Sequence, residues 1–176
     1  RKAHCNYYKS RFGVKLNFED EVVVTLGSKE GLANLASAIT SKGDIILVPN
    51  PSYPIHPYGF LIAGALVKQI RMTEEELFLK NLVKSISKYK NKIKAIVINY
   101  PNNPTTKIVE LSFYKELVKI CKKNDIWILS DIAYSEIYFN KKPPPSLLQV
   151  KDAKKIAVEF SSMSKTHNMP GWRIGF

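Results

Sequence analysis

Cysteine is scarce in this chain of 176 residues: Cys5 and Cys121 are the only two, they lie far apart, and no CxxC motif occurs. A disulfide framework and a thiolate metal site are therefore not indicated, and two reduced thiols are the simpler reading. Acidic side chains are in deficit as well, with 15 Asp and Glu against 27 Lys and Arg, a formal net charge of +12. No apolar run approaches the ~18 residues that a spanning helix requires, and no charged-then-apolar leader is present. The chain opens at Arg1 without a methionine and both of its ends read as cut. The expectation is a soluble, cytoplasmic protein with no membrane partner and no bound metal, in one domain large enough for a proper core.

Strong positive charge raises nucleic-acid binding as a function, because clustered cations neutralise backbone phosphates. The cations here are dispersed. Lys80, Lys84 and Lys88, like Lys115, Lys119 and Lys122, fall at polar positions of amphipathic segments, and no nucleic-acid motif accompanies them. A solvated lysine-rich surface is favoured, with no nucleic-acid partner.

What the sequence does contain is an alternation of two periods. Apolar, β-branched runs at 22–26 (VVVTL), 44–48 (DIILV), 95–99 (AIVIN), 126–130 (IWILS) and 156–160 (IAVEF) read as buried strands. Residues 65–70 (ALVKQI) alternate more, as an edge strand does. Helical spacing occupies 1–12, 32–40, 55–63, 74–89 and 111–123, with Leu77, Leu82, Val83, Ile86 and Tyr89 as the apolar set of the fourth. Residues 141–147, with Pro143, Pro144 and Pro145, read as an exposed rigid loop. Continuous apolar strands separated by helices imply an α/β fold, a mostly parallel sheet with helices on both faces.

Ligands of such sheets sit beyond the carboxyl ends of the strands. The polar clusters of this chain fall there: Gly27-Ser28-Lys29, Pro51-Ser52-Tyr53, Asn103-Pro104-Thr105, Asp131 to Tyr134, and Ser162 to Lys165. A glycine turn opening a helix offers N–H groups and a positive dipole end to a phosphate, and Arg173 is placed to complete the cradle. The GSKEG turn matches neither GxGxxG nor GxxxxGK[ST], so neither a dinucleotide nor a nucleoside-triphosphate site is supported. Lys165 is unusual, standing just past a strand among Ser162 and Ser164 rather than on an amphipathic helix face. A lysine and an aspartate beside a phosphate cradle suit pyridoxal phosphate, the amine for Schiff-base chemistry and the carboxylate for a ring nitrogen. Taken singly, each of these residues has a bland reading as strand end, turn former or rim aromatic.

The motifs NPSYP, NNPT, DxAY and SxSK, with an arginine eight residues on, stand in the order and spacing of the fold type I pyridoxal-phosphate aminotransferases. From Gly27 to Phe176 the chain resembles the central part of that family, in its aspartate/alanine aminotransferase group. The resemblance implies residues 1–176 as the cofactor-binding large domain, incomplete at both ends and without the small C-terminal domain. It implies pyridoxal 5'-phosphate as cofactor, Lys165 as the Schiff-base lysine and Asp131 as partner of the ring nitrogen. Tyr134 and Asn103 would hold the ring's 3-hydroxyl and Tyr53 would stack on its face. Gly27, Ser28, Lys29, Ser162, Ser164 and Arg173 would hold the phosphate, with Lys29 reading equally as facing substrate or as an ordinary exposed helix-start lysine. His56 matches a position that supports the aspartate in some members, although a lone histidine after a proline-rich loop is more often on the surface. The activity implied is amino transfer from an L-amino acid of the alanine, aspartate or glutamate type to a 2-oxo acid such as 2-oxoglutarate, in a homodimer. A C–S lyase on the same fold and an inactive cofactor-binding fragment remain as alternatives.

Overall fold

The computed structural model describes residues 1–72, 74–139 and 141–176. Four of the apolar runs and the alternating segment form the strands β1 (Ile45–Asn50), β2 (Leu66–Arg71), β3 (Ile93–Asn99), β4 (Trp127–Asp131) and β5 (Ala157–Phe160). They pair in parallel throughout, in the order β2-β1-β3-β4-β5. Parallel neighbours need long crossovers. Helices α3 (Ile55–Ile62), α4 (Glu75–Tyr89) and α5 (Leu111–Lys123) provide them between β1 and β2, β2 and β3, and β3 and β4. Helices α1 (Lys2–Phe12) and α2 (Ser28–Ile39) precede the sheet, and a single turn, α6 (Met163–Thr166), follows β5.

Alternation along each strand divides the core in two, which explains why the strands read as apolar without interruption. Ile45 and Leu47 of β1, with Ile96 and Ile98 of β3, pack with Phe78 and Leu82 of α4 and Phe113 and Leu117 of α5. Ile46 and Val48, with Ala95 and Val97, face the other way onto Leu32 and Ala36 of α2 and Phe60 of α3. Leu82 is fully buried, and truncating such a leucine to alanine costs about 2–5 kcal/mol. The edge position expected for 65–70 is observed, with Leu66 half exposed at the rim of the sheet. From β1 the chain moves outward to β2 and then returns past β1 to β3, so the crossovers on the two sides diverge and open a crevice beyond the carboxyl ends of β1 and β3.

Three expectations need correction. Residues 22–26 are not a buried strand: only Thr25 forms a bridge, antiparallel to Gly175, and Val23, Val24 and Leu26 are 71%, 52% and 70% exposed. An apolar run becomes a strand only where a partner edge and a covering layer meet it, and here a single pair of hydrogen bonds does so. Residues 141–147 are not simply exposed, because Pro144, Ser146 and Leu147 are buried, with Ser146 and Leu147 bonded to the Glu159 carboxylate. In α4 the buried pair is Phe78 and Leu82, four residues apart on one face, while Leu77 and Val83 are nearly half exposed. No helix among the described residues is long and apolar enough to cross a membrane.

Candidate active site

Asp131 is the last residue of β4 and is 7% exposed. A carboxylate held that far from water requires partners. Its Oδ1 accepts from the Ala133 N–H at 3.1 Å, and its Oδ2 lies 3.0 Å from Nε2 of His56. His56 is wholly buried on α3, so the sequence expectation of a surface histidine is overturned and the aspartate-supporting geometry is present. Among the described residues, Nδ1 of His56 has no hydrogen-bond partner. Since an unpaired buried N–H is costlier than a bare ring nitrogen, the network assigns the proton to Nε2, which donates to Asp131.

Asn99, which the sequence reading did not single out, ends β3 directly opposite Asp131. Its Nδ2 donates to the Asp131 carbonyl at 2.8 Å and the Pro101 carbonyl at 3.2 Å, and its Oδ1 accepts from the Asn103 N–H at 2.9 Å. One buried amide thus ties two strand ends to the turn carrying Asn103. The available signal was an amide closing an otherwise apolar run. Asn103 Nδ2 in turn donates to the Tyr134 hydroxyl at 3.1 Å. The Lys165 ammonium, on α6, lies 5.9 Å from the centroid of the Tyr134 ring.

The opposite wall is made by close backbone approach. Gly27 caps α2 with φ 86° and has no side chain to occupy the helix's first N–H groups. A Cβ there would lie 2.2 Å from Nη2 of Arg173, and one on Gly175 would lie 2.4 Å from the Ser28 nitrogen. Arg173 is held by the carbonyls of Pro170, 3.0 Å from Nη1, and Leu26, 3.3 Å from Nη2, with the Ser164 hydroxyl 3.5 Å from Nη1. Ser162 caps α6, its Oγ accepting from the Ser164 N–H at 3.2 Å. The Lys29 ammonium stands 5.1 Å over the Tyr53 ring.

These groups surround one cavity of about 210 Å³. Ser28, Lys29, Tyr53, Asn103, Asp131 and Tyr134 line it from the α2, β1, β3 and β4 ends, and Ser162, Ser164, Lys165 and Arg173 from the segment after β5. Gly27 lies behind Arg173 rather than at the cavity surface. Asn99, Ala133 and Pro170 complete the lining. Two larger hollows, of about 650 and 630 Å³, are mainly apolar-walled. The small one is lined by the cations Lys29, Lys165 and Arg173, the Asp131 carboxylate and several hydroxyls, a set suited to an anionic ligand beside a nucleophilic nitrogen. Among the described residues no three His, Cys, Asp or Glu side chains group as metal ligands.

A parallel α/β sheet with a lysine, a supported aspartate and an anion cradle at its strand ends defines a class, and the comparisons give that class its family. Residues 1–176 match the model for aminotransferase class I and II, and the chain belongs to that family. It is 53% identical over 176 residues to the putative aminotransferase AatC of Rhizobium meliloti (strain 1021), covering all of this chain and 44% of that protein. It is 44% identical to the glutamate-pyruvate aminotransferase AlaC of Escherichia coli (strain K12), covering all of this chain and 43% of that protein. The apo structure of BacF from Bacillus subtilis superposes with a TM-score of 0.93 at 37% identity, over 99% of this chain and 46% of that one. The chain therefore spans less than half the length of these relatives.

Proposed function

We propose that residues 1–176 are the cofactor-binding large domain of a pyridoxal 5'-phosphate-dependent aminotransferase. In this reading a small C-terminal domain lies outside the chain, and the longer protein is a cytoplasmic homodimer. The observation that carries the reading is the convergence of Lys165, the Asn103–Tyr134 pair, the His56–Asp131 pair and the Arg173–Gly27 contact on one cavity.

The donor set fits the cofactor at each of its functional groups. Ser28, Lys29, Ser162, Ser164 and Arg173, with the uncapped first turn of α2, offer charge-assisted bonds to a phosphate, and Gly27, having no Cβ, leaves room for the Arg173 guanidinium. Asp131 meets a ring nitrogen with a carboxylate that His56 orients from behind. Asn103 and Tyr134 present an amide and a phenol, already bonded to each other, to a ring hydroxyl. Tyr53 offers a ring face. When bound, the cofactor supplies an aldehyde that takes up amines and a ring that draws electrons from the carbon beside the transferred nitrogen.

The chain's own residues supply the rest. With the cofactor bound, Asp131 would hold its ring nitrogen, and Lys165 Nζ would be the amine that meets its aldehyde and carries a proton to and from the substrate α-carbon. The Tyr134 ring centroid lies 5.9 Å from that amine. The substrate proposed is an L-amino acid of the alanine, aspartate or glutamate type, with 2-oxoglutarate as acceptor. The likeness to AlaC supports this choice.

The test is a donor panel on the full-length protein, including dicarboxylic and diamino-dicarboxylic amino acids. Formation of L-glutamate from 2-oxoglutarate with L-alanine or L-aspartate as donor is the expected result. Release of pyruvate and thiol from a thioether amino acid, with no amino transfer, would replace the proposal by a C–S lyase.

A further inference from the structure

Tyr134 sits in a short turn with no strand pairing of its own, held locally by the Ser135 N–H on the Ile132 carbonyl and the Ile137 N–H on the Tyr134 carbonyl. Past it the chain runs outward, and Ile137, Tyr138 and Phe139 are 43%, 40% and 99% exposed. With the Ile132 N–H on the Phe160 carbonyl and the Ala133 N–H on Asp131 Oδ1, these bonds anchor the turn on its β4 side, and a phenol that must stay within bonding distance of Asn103 needs a hold on the far side as well. That hold comes from the far end of the sequence. Arg11 Nε donates to Glu136 Oε1 at 2.8 Å, and the Tyr7 hydroxyl donates to the same oxygen at 2.6 Å. Arg11 Nη2 donates to the carbonyls of Ser135 at 3.3 Å and Pro144 at 3.2 Å.

The Arg11 and Glu136 side chains are 16% and 20% exposed, so the pair is largely out of water. Taking such a pair out of water is unfavourable unless the geometry and the extra hydrogen bonds are good, and apolar residues of similar volume often serve stability as well. What the ion pair provides that an apolar contact does not is a fixed direction, since a planar guanidinium binds carboxylate and carbonyls only in its own plane. The guanidinium is sandwiched as well, 4.6 Å from the Phe12 ring centroid and 5.8 Å from that of Tyr138.

We propose that Arg11 and Tyr7 are positioning residues for Tyr134: through Glu136 and the Ser135 carbonyl, α1 fixes the turn that keeps the Tyr134 hydroxyl on Asn103 and beside the Lys165 amine. This rests on the cofactor reading of the cavity. It adds a helix that touches none of the cavity's walls to the machinery that shapes it.

The test uses the full-length protein in two measurements. In the cofactor-free form, Arg11→Met should speed hydrogen exchange of the amides at 133–137 roughly tenfold while leaving those of β3 unchanged. In a double-mutant cycle on cofactor affinity, Arg11→Met should weaken binding roughly tenfold in the wild-type background and less than about twofold in the Tyr134→Phe background. Arg11→Lys, which keeps charge without the fork, should fall between. Should Arg11→Met fold poorly, Tyr7→Phe removes one donor only and should show the same pattern at smaller size. Equal affinity losses in both backgrounds, or unchanged exchange at 133–137, would overturn the clamp while leaving the cofactor reading intact. A Tyr134→Phe variant that binds cofactor as well as wild type would overturn both.

Discussion

Two carboxylates on neighbouring strands of this sheet live in opposite surroundings. Asp131 ends β4 and Glu159 lies inside β5, each one residue out of register with the other. Glu159 accepts from four donors: the hydroxyls of Tyr8, Ser130 and Ser146 and the Leu147 N–H. Each of its oxygens is doubly bonded, and they join α1, β4, β5 and the loop after residue 141. Burial pushes its carboxyl pKa upward, an effect that the four donors partly offset. Asp131 has one backbone donor and one histidine, and it lines the cavity. The structural carboxylate has both oxygens taken up by four protein donors, whereas the one that lines the small cavity has only a backbone N–H and a histidine.

Substitutions at the two positions should separate along that line. Asp131→Ala should lower kcat by roughly 10²–10³-fold, the range for losing a preorganised electrostatic group, with a smaller stability loss than at Glu159 because it strands two partners rather than four. The surface variant Lys92→Ala should leave kcat alone, and equal effects at the two sites would break the contrast. Glu159→Leu should do the reverse. It strands four donors, each unsatisfied one costing about 1–3 kcal/mol, so a stability loss of about 3 kcal/mol or more is expected in urea titration, with the folded fraction still binding cofactor.

A smaller effect concerns pH. Burial holds the His4 pKa down from 6.5 to about 4. His4 is 8% exposed in α1. Between those values the unfolded chain carries a proton that the folded one does not, so stability is full above about pH 6.5 and declines as pH falls toward 4. The expected slope is about 1 kcal/mol per pH unit. His4→Gln should flatten it, and an unchanged slope would remove His4 as its source.

The residues that were legible in sequence are those whose local pattern decides their fate. The run 95–99 is a strand because it is flanked by crossovers that bring partners to both sides, and α5 is a helix because its apolar spacing, ending in Lys122 and Lys123, leaves no other face to bury. The clusters at 103, 131–134 and 162–165 were legible because parallel strands must end on one side of the sheet, and 27–29 because a glycine opens a helix there. Residues 22–26 look as apolar as 95–99, but period and composition report what a segment can bury and not which edge it will meet. His56 was undervalued because its partner, Asp131, is 75 residues away. The same distance problem hid Arg11 and Glu136, whose pairing spans 125 residues, and the proline-rich segment whose Ser146 closes on Glu159.

The central claim is that Lys165 is the nitrogen around which the cavity is arranged. Its most direct test is to add pyridoxal 5'-phosphate to the full-length protein, reduce with borohydride, digest, and locate the modified lysine by mass spectrometry. The expected result is a single phosphopyridoxyl group on Lys165, absent in Lys165→Ala, whose circular dichroism matches wild type. Stoichiometric modification at Lys29 or at scattered surface lysines, with Lys165 untouched, would contradict it.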